Sequence, residues 1–203
     1  SKPVKEEDFD ECLSTSKPSP QNTSRIYIFG DSHAANYAFG IRKAFPERVF
    51  MATVGWKCGY ISISDARKLN HSKMNCVGYN YLVREFVKSI SPGDVVIVGN
   101  DWRQGSIKKI SNNQKKVYEK LARAVIDRDG HFILLDDVPG VGDPSMAMKQ
   151  WYRPFPSKKI PIDTINTMQI DLDKIGDHIS EISTLSHYLP LRHLLCEKKI
   201  LRI

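Results

Sequence analysis

The chain has no apolar run near the roughly 18 consecutive residues that a membrane-spanning helix requires. Its first ten residues are polar and acidic, so they hold no apolar signal-peptide core. Cysteine is scarce: Cys12, Cys58, Cys76 and Cys196 form neither a Cys-x-x-Cys pair nor a zinc spacing, so no metal is expected. Glycine-rich phosphate loops are missing as well. Gly30-Asp31-Ser32-His33 has one glycine where a nucleotide cradle needs several. Internal repeats and low-complexity tracts are also lacking. What remains is a 203-residue chain, 41% hydrophobic and 26% charged, which fits one soluble globular domain with a full core.

The formal charge of +7 raises the question of nucleic acid. The densest cluster, Lys108, Lys109, Lys115, Lys116 and Lys120, surrounds a helix expected over 112–127 with Val117, Leu121, Ala124 and Val125 as its apolar face. Lysines opposite such a face are a solvated surface, and no nucleic-acid motif accompanies them. No nucleic-acid partner is expected. Cys58 and Cys76 bracket a loop-rich segment that a disulfide could close, which would imply an oxidising compartment. Four buried thiols in a reducing compartment are the alternative.

Residues 1–24, rich in Ser, Pro, Lys and Glu, read as a linker or N-terminal arm. Beyond it the chain alternates. Strands are expected at 25–29, 48–54, 94–99, 131–136 and 189–195, and helices at 34–45, 77–90, 112–127 and 164–185. Gly130 suits the C-cap of the third helix. Alternation of this kind predicts an α/β fold, a flavodoxin-like three-layer sandwich on a five-stranded parallel sheet.

Ligands of open parallel sheets bind at the carboxyl ends of the central strands. The first strand ends at Gly30-Asp31-Ser32, the second at Gly55, and the third at Gly99-Asn100-Asp101-Trp102. A serine in a strand-to-helix turn stands beside helix N–H groups that favour developing negative charge. Ser32 as nucleophile with oxyanion donors at Gly55 and Asn100 is the equipment of acyl transfer. The plainer reading of each is a turn, a helix cap or core packing.

Taken together these blocks resemble the SGNH (GDSL-like) hydrolase superfamily, with Gly30-Asp31-Ser32, Gly55 and Gly99-Asn100-Asp101 as its successive motifs. The third motif lacks one residue between glycine and asparagine. Gly-Asp-Ser-His, the Cys58–Cys76 segment, the run into Trp102, Leu134-Leu135-Asp136-Asp137-Val138-Pro139 and Leu194-Leu195-Cys196 are similar to the C-terminal SGNH domain of membrane-bound O-acyltransferases of the OafA/OatA type. The resemblance covers 25–203 and implies an SGNH hydrolase fold without cofactor. It implies that Ser32 takes an acyl group, acetyl above all, and passes it to a cell-envelope glycan. A membrane-embedded acyltransferase domain outside this chain would be donor and tether, with the domain periplasmic or extracytoplasmic. His33 and Trp102 are candidates for binding the acceptor.

The family carries its base in a late Asp-x-x-His block. Here His33, His71, His131, His178, His187 and His193 follow Gly30, Lys68, Arg128, Ile175, Thr184 and Pro190 at that spacing, and none of these is aspartate. The base is therefore unassigned, and the expectation is that the sequence ends before that block. His178 could be oriented by its neighbour Asp177, whereas His33 would have to fold back from its own turn, and His187 and His193 flank the expected last strand. Two further readings stay open: a stand-alone carbohydrate esterase or deacetylase, and a non-catalytic module binding glycan or a partner.

Overall fold

In a computed structural model of the chain, residues 24–48, 50–54, 58–60, 66–67, 76–100, 112–136, 160–161, 167–191, 196–197 and 200–201 are described. Five strands form one sheet: β1 (Ile26–Gly30), β2 (Phe50–Val54), β3 (Val95–Gly99), β4 (His131–Leu135) and β6 (Ser186–Leu189). Their order is β2-β1-β3-β4-β6, and every neighbouring pair is parallel. The chain steps one way from β1 to β2, then reverses past β1 to β3 and beyond. With right-handed crossovers this reversal puts the first helix on one face and the later ones on the other.

That is what the packing shows. Helix α1 (Ser32–Ala44) lays Ala34 and Ala38 on Ile26, Ile28, Ile97 and Leu135. On the opposite face α2 (Cys76–Lys88), α3 (Asn112–Ile126) and α4 (Thr167–Ser180) cover Tyr27, Phe29, Val96, Val98, Phe132 and Leu134. The result is the expected three-layer α/β sandwich. Central strands buried on both sides read as continuous apolar runs, which is why β1, β3 and β4 stand out in the sequence.

At the amino edge, Arg25 and Asp94 tie the starts of β1 and β3 together. The Arg25 guanidinium meets the buried Asp94 carboxylate at 2.8 Å, and the backbone N–H groups of Arg25 and Ser91 donate to it at 2.7 and 2.9 Å. With its charge paired in this way, Asp94 fastens the amino edge of the sheet.

The carboxyl-terminal elements and one helix face differ most from expectation. The last helix stops at Ser180, not 185: the single Ser186 hydroxyl proton is shared between the carbonyls of Ile179 and Ser183, and residues 181–185 form a turn. The fifth strand is accordingly Ser186–Leu189 rather than 189–195. Pro190, with no N–H to give, ends it. On α3 the core face is Tyr118, Leu121, Ala122 and Val125, with Val117 and Ala124 at its margins. Past that helix the left-handed residue is Asp129, at φ 55°, and not Gly130. Gly130 instead lacks room for a Cβ, which would lie 3.0 Å from both Ile90 and Val125 side chains. A small antiparallel sheet of β5 (Ile160–Pro161), β7 (Cys196–Glu197) and β8 (Ile200–Leu201) was not foreseen.

Candidate active site

The carboxyl ends of the two central strands meet at a pair of glycines. Gly30 and Gly99 are Cα partners in the β1–β3 ladder. Gly30 sits at φ +151°, and a Cβ there would fall 1.6 Å from the Gly99 carbonyl oxygen. Only glycine allows this approach. It brings the residues that follow each strand, Asp31-Ser32 and Asn100, to one stretch of the sheet edge.

Asp31 is the N-cap of α1. Its carboxylate Oδ1 accepts from the His33 N–H at 2.9 Å, and its carbonyl from the Ala35 N–H at 3.4 Å. Ser32 is thus the first residue of the helix, two positions earlier than the expected start at 34. The turn chemistry and the nucleophile reading therefore fall on different residues. Aspartate caps, and serine stands where the helix presents its unsatisfied N–H groups. His33 follows, half-buried, at the same edge.

Asn100, 2% exposed, holds the backbone of Tyr60 as an added strand would. Its Oδ1 accepts from the Tyr60 N–H at 3.1 Å, and its Nδ2 donates to the Tyr60 carbonyl at 3.3 Å. The same Nδ2 donates to Tyr118 Oη at 2.7 Å, and Tyr118 passes its own proton to the Tyr60 carbonyl at 3.0 Å. Gln114 Nε2 adds a third donor to that carbonyl at 2.9 Å. Burial holds the Tyr118 hydroxyl well above its ordinary range, against the pull of Gln114 and Asn100; Asp31 nearby raises it further. The hydroxyl is therefore a fixed, protonated link beneath the site.

Segment 58–60 is secured from its other side as well. Cys58 and Cys76 are joined by a disulfide, with Cα atoms 4.9 Å apart. Asn80, one turn into α2, donates to the carbonyls of Cys76 at 2.9 Å and Gly59 at 3.4 Å. Gly59 packs so tightly on Asn100 that a Cβ would meet its Oδ1 at 2.6 Å. Finally, Tyr79 Oη accepts from the Gly30 N–H at 2.7 Å and donates to the Gly30 carbonyl at 2.8 Å.

Of the predicted site residues, Ser32, His33 and Asn100 come to the same edge, and Cys58 and Cys76 are bonded. Gly55 and Trp102 lie outside the described residues, as do Cys12, His71 and His193. His131 opens β4 at the opposite, amino edge. His178 sits on α4 with its Nε2 3.5 Å from a carboxylate oxygen of Glu119 on α3, so its nearest carboxylate is in the helix layer. Hydrogen bonding from Arg123 is the main reason that the Glu119 carboxyl is held below its usual range, and His178 adds to it. His187 is exposed within β6. Among the described residues no group of three acidic, histidine or cysteine side chains could hold a metal ion. No helix among them is long and apolar enough to cross a membrane.

Sequence reasoning missed Tyr79, Asn80, Gln114 and Tyr118. Tyr79 falls on the buried stripe Cys76, Tyr79, Asn80, Val83, Phe86 and Val87, where a tyrosine reads as core. Only buried Asn80 and Gln114, polar residues on apolar helix faces, carried any signal.

The chain is similar in fold to a solved Salmonella ser. Paratyphi A lipopolysaccharide acetyltransferase periplasmic domain. The TM-score is 0.65 and the identity 16%, over 96% of this chain and 76% of that one. No curated protein shows significant sequence similarity to it. The family model described as an SGNH domain fused to AT3 domains matches residues 2–202. With nearly its whole length matched, this chain belongs to the family of SGNH domains that accompany AT3 acyltransferase domains.

Proposed function

We propose that this domain carries an acyl group, most simply acetyl, on Ser32 and delivers it to a hydroxyl of a cell-envelope glycan outside the cytoplasm. One observation carries the reading: Ser32 is the first residue of α1, directly past the central strand of the sheet, beside the β3 end that bears Asn100. Helix N–H groups at that position stabilise the charge that develops on an acyl oxygen.

The reaction has two balanced steps. The Ser32 oxygen bonds to the acyl carbonyl carbon, and the donor leaves carrying the serine's proton. A sugar hydroxyl oxygen then attacks the serine ester, and the serine recovers a proton as its bond to the acyl carbon breaks. Water in place of sugar turns the same enzyme into an esterase. Gly55 and Asn100 would donate to the oxyanion in both steps. Asn100 already spends its two amide hydrogens on the Tyr60 carbonyl and Tyr118 Oη, so the longer contact, to Tyr60 at 3.3 Å, is the one it would yield. His33 and Trp102 are proposed on the acceptor side. The donor is an AT3-type membrane domain, in keeping with the family.

The test is release of p-nitrophenol from p-nitrophenyl acetate, with and without added envelope glycan, by the chain and by Ser32→Ala. Turnover lost in Ser32→Ala, and redirected from acetate to acetylated glycan when glycan is present, supports the reading. Release that persists in Ser32→Ala contradicts it.

A non-catalytic binding module is the second reading, favoured by one feature: none of the six histidines follows an aspartate at the family's spacing. It predicts glycan binding of equal strength by the chain and by Ser32→Ala, with no turnover in either.

A further inference from the structure

We propose that Tyr79 is a positioning residue for the nucleophile turn, its buried hydroxyl fixing the direction in which Asp31 and Ser32 leave β1. The proposal rests on the acyl-enzyme reading of Ser32. Tyr79 Oη takes the Gly30 N–H at 2.7 Å and gives its proton to the Gly30 carbonyl at 2.8 Å. Those two groups belong to different peptide units, one on each side of the Gly30 Cα. One hydroxyl thus adds to the ladder a restraint on both torsions of a residue that, at φ +151°, has no side chain of its own to anchor it. The Gly30 carbonyl belongs to the peptide bond leading into Asp31, one residue before Ser32.

Tyr79 is itself held. It lies within the first turn of α2, whose first residue, Cys76, is cross-linked to Cys58. Asn80 ties the same turn to Gly59. Cys58 leads through Gly59 to Tyr60, and Tyr60 is gripped by Asn100 at the end of β3. Gly99, beside Asn100, is the ladder partner of Gly30. These links form a closed ring that fixes the nucleophile strand end relative to the end carrying Asn100. Displacing a reacting group by about 1 Å costs on the order of 100-fold in rate, so a ring of this kind governs turnover without touching substrate.

The test uses an alkyl fluorophosphonate and intact-mass detection of the adduct. In that reaction the serine oxygen bonds to phosphorus, fluoride leaves, and the hydroxyl proton goes to solvent. Tyr79→Phe keeps the ring in the core and removes only the hydroxyl. We expect its maximal labelling rate at Ser32 to fall about 10- to 100-fold, with the half-saturating probe concentration unchanged. Tyr27→Phe, which removes another core hydroxyl from the same face of the sheet, should label at the wild-type rate. Equal labelling of Tyr79→Phe and wild type overturns the proposal, as does equal slowing in Tyr27→Phe. A wild-type chain not labelled at Ser32 overturns the nucleophile reading itself, a separate failure. The wild-type chain supplies a check that does not depend on the variant's folding. The Gly30 amide should be among the slowest to exchange hydrogen, and exchange at an unprotected rate overturns the clasp.

Discussion

The side chain of Asn100 and the backbone of Tyr60 pair as two adjacent strands do, N–H to oxygen at 3.1 Å and amide to carbonyl at 3.3 Å. The asparagine that the family resemblance offers as an oxyanion donor is therefore also the strut that docks the disulfide-closed segment on the sheet. If it also serves the oxyanion as proposed, one substitution there lowers stability and turnover together.

Asn100→Ala leaves the buried Tyr60 N–H without its acceptor, a loss of about 1–3 kcal/mol. If the amide also serves the oxyanion, kcat for p-nitrophenyl acetate falls by a further factor on the order of 100 to 1,000. Thermal melting with kinetics well below the melting point separates the two. Lower stability with full kcat would leave Asn100 a strut alone.

Gly30→Ala is expected to be far worse than an ordinary surface change. Its Cβ would meet a backbone oxygen at 1.6 Å, which no side-chain rotation can relieve, in a conformation that L-residues rarely adopt. The sheet edge must part there, and strain of this sort costs at least about 1–3 kcal/mol before the clash is counted. Loss of the folded circular-dichroism signal or a sharply lowered melting point checks this. Wild-type behaviour would mean that β1 and β3 do not close as described.

Reduction of Cys58–Cys76 should destabilise the fold by about 3 kcal/mol, the value for a cross-link closing a loop of this length. Because segment 58–60 seats Asn100, the reduced protein should also lose turnover before it unfolds. Denaturant titration with and without reductant, each point assayed for esterase activity, reads both effects.

Alkali should unfold the protein through its buried tyrosines. Burial raises Tyr118 well above the model-compound value of 10.0, and burial raises Tyr27 and Tyr60 in the same direction. A group whose folded pKa exceeds its unfolded one gives stability that is intact below the unfolded pKa and is lost as pH rises through the folded one. Stability should therefore hold up to about pH 10 and decline above it, less steeply in Tyr118→Phe. Absorbance near the phenolate band should show part of the eight tyrosines ionising only as the fold is lost.

Much of this was legible beforehand, for identifiable reasons. Strands buried on both faces write themselves as Ile26 to Phe29 and Val95 to Val98, and glycines mark where they stop. The nucleophile candidate showed because a polar Asp-Ser pair must follow such a strand to cap a helix. The end of α4 did not show, since Ile182 and Leu185 continue the helical spacing while serving a turn that Ser186 closes. Tyr79 was invisible for a similar reason: a hydroxyl at the tip of a core ring does not alter the hydrophobic pattern. Periodicity records which face is buried, not what a buried polar atom reaches.

The most direct measurement is acid-quenched trapping of the chain with p-nitrophenyl acetate, followed by peptide mapping by mass spectrometry. One acetyl group is expected on the peptide containing Ser32, absent in Ser32→Ala and discharged when glycan is added before the quench. An unmodified Ser32 in the folded chain, or acetylation that survives Ser32→Ala elsewhere at the same level, would contradict the acyl-enzyme reading.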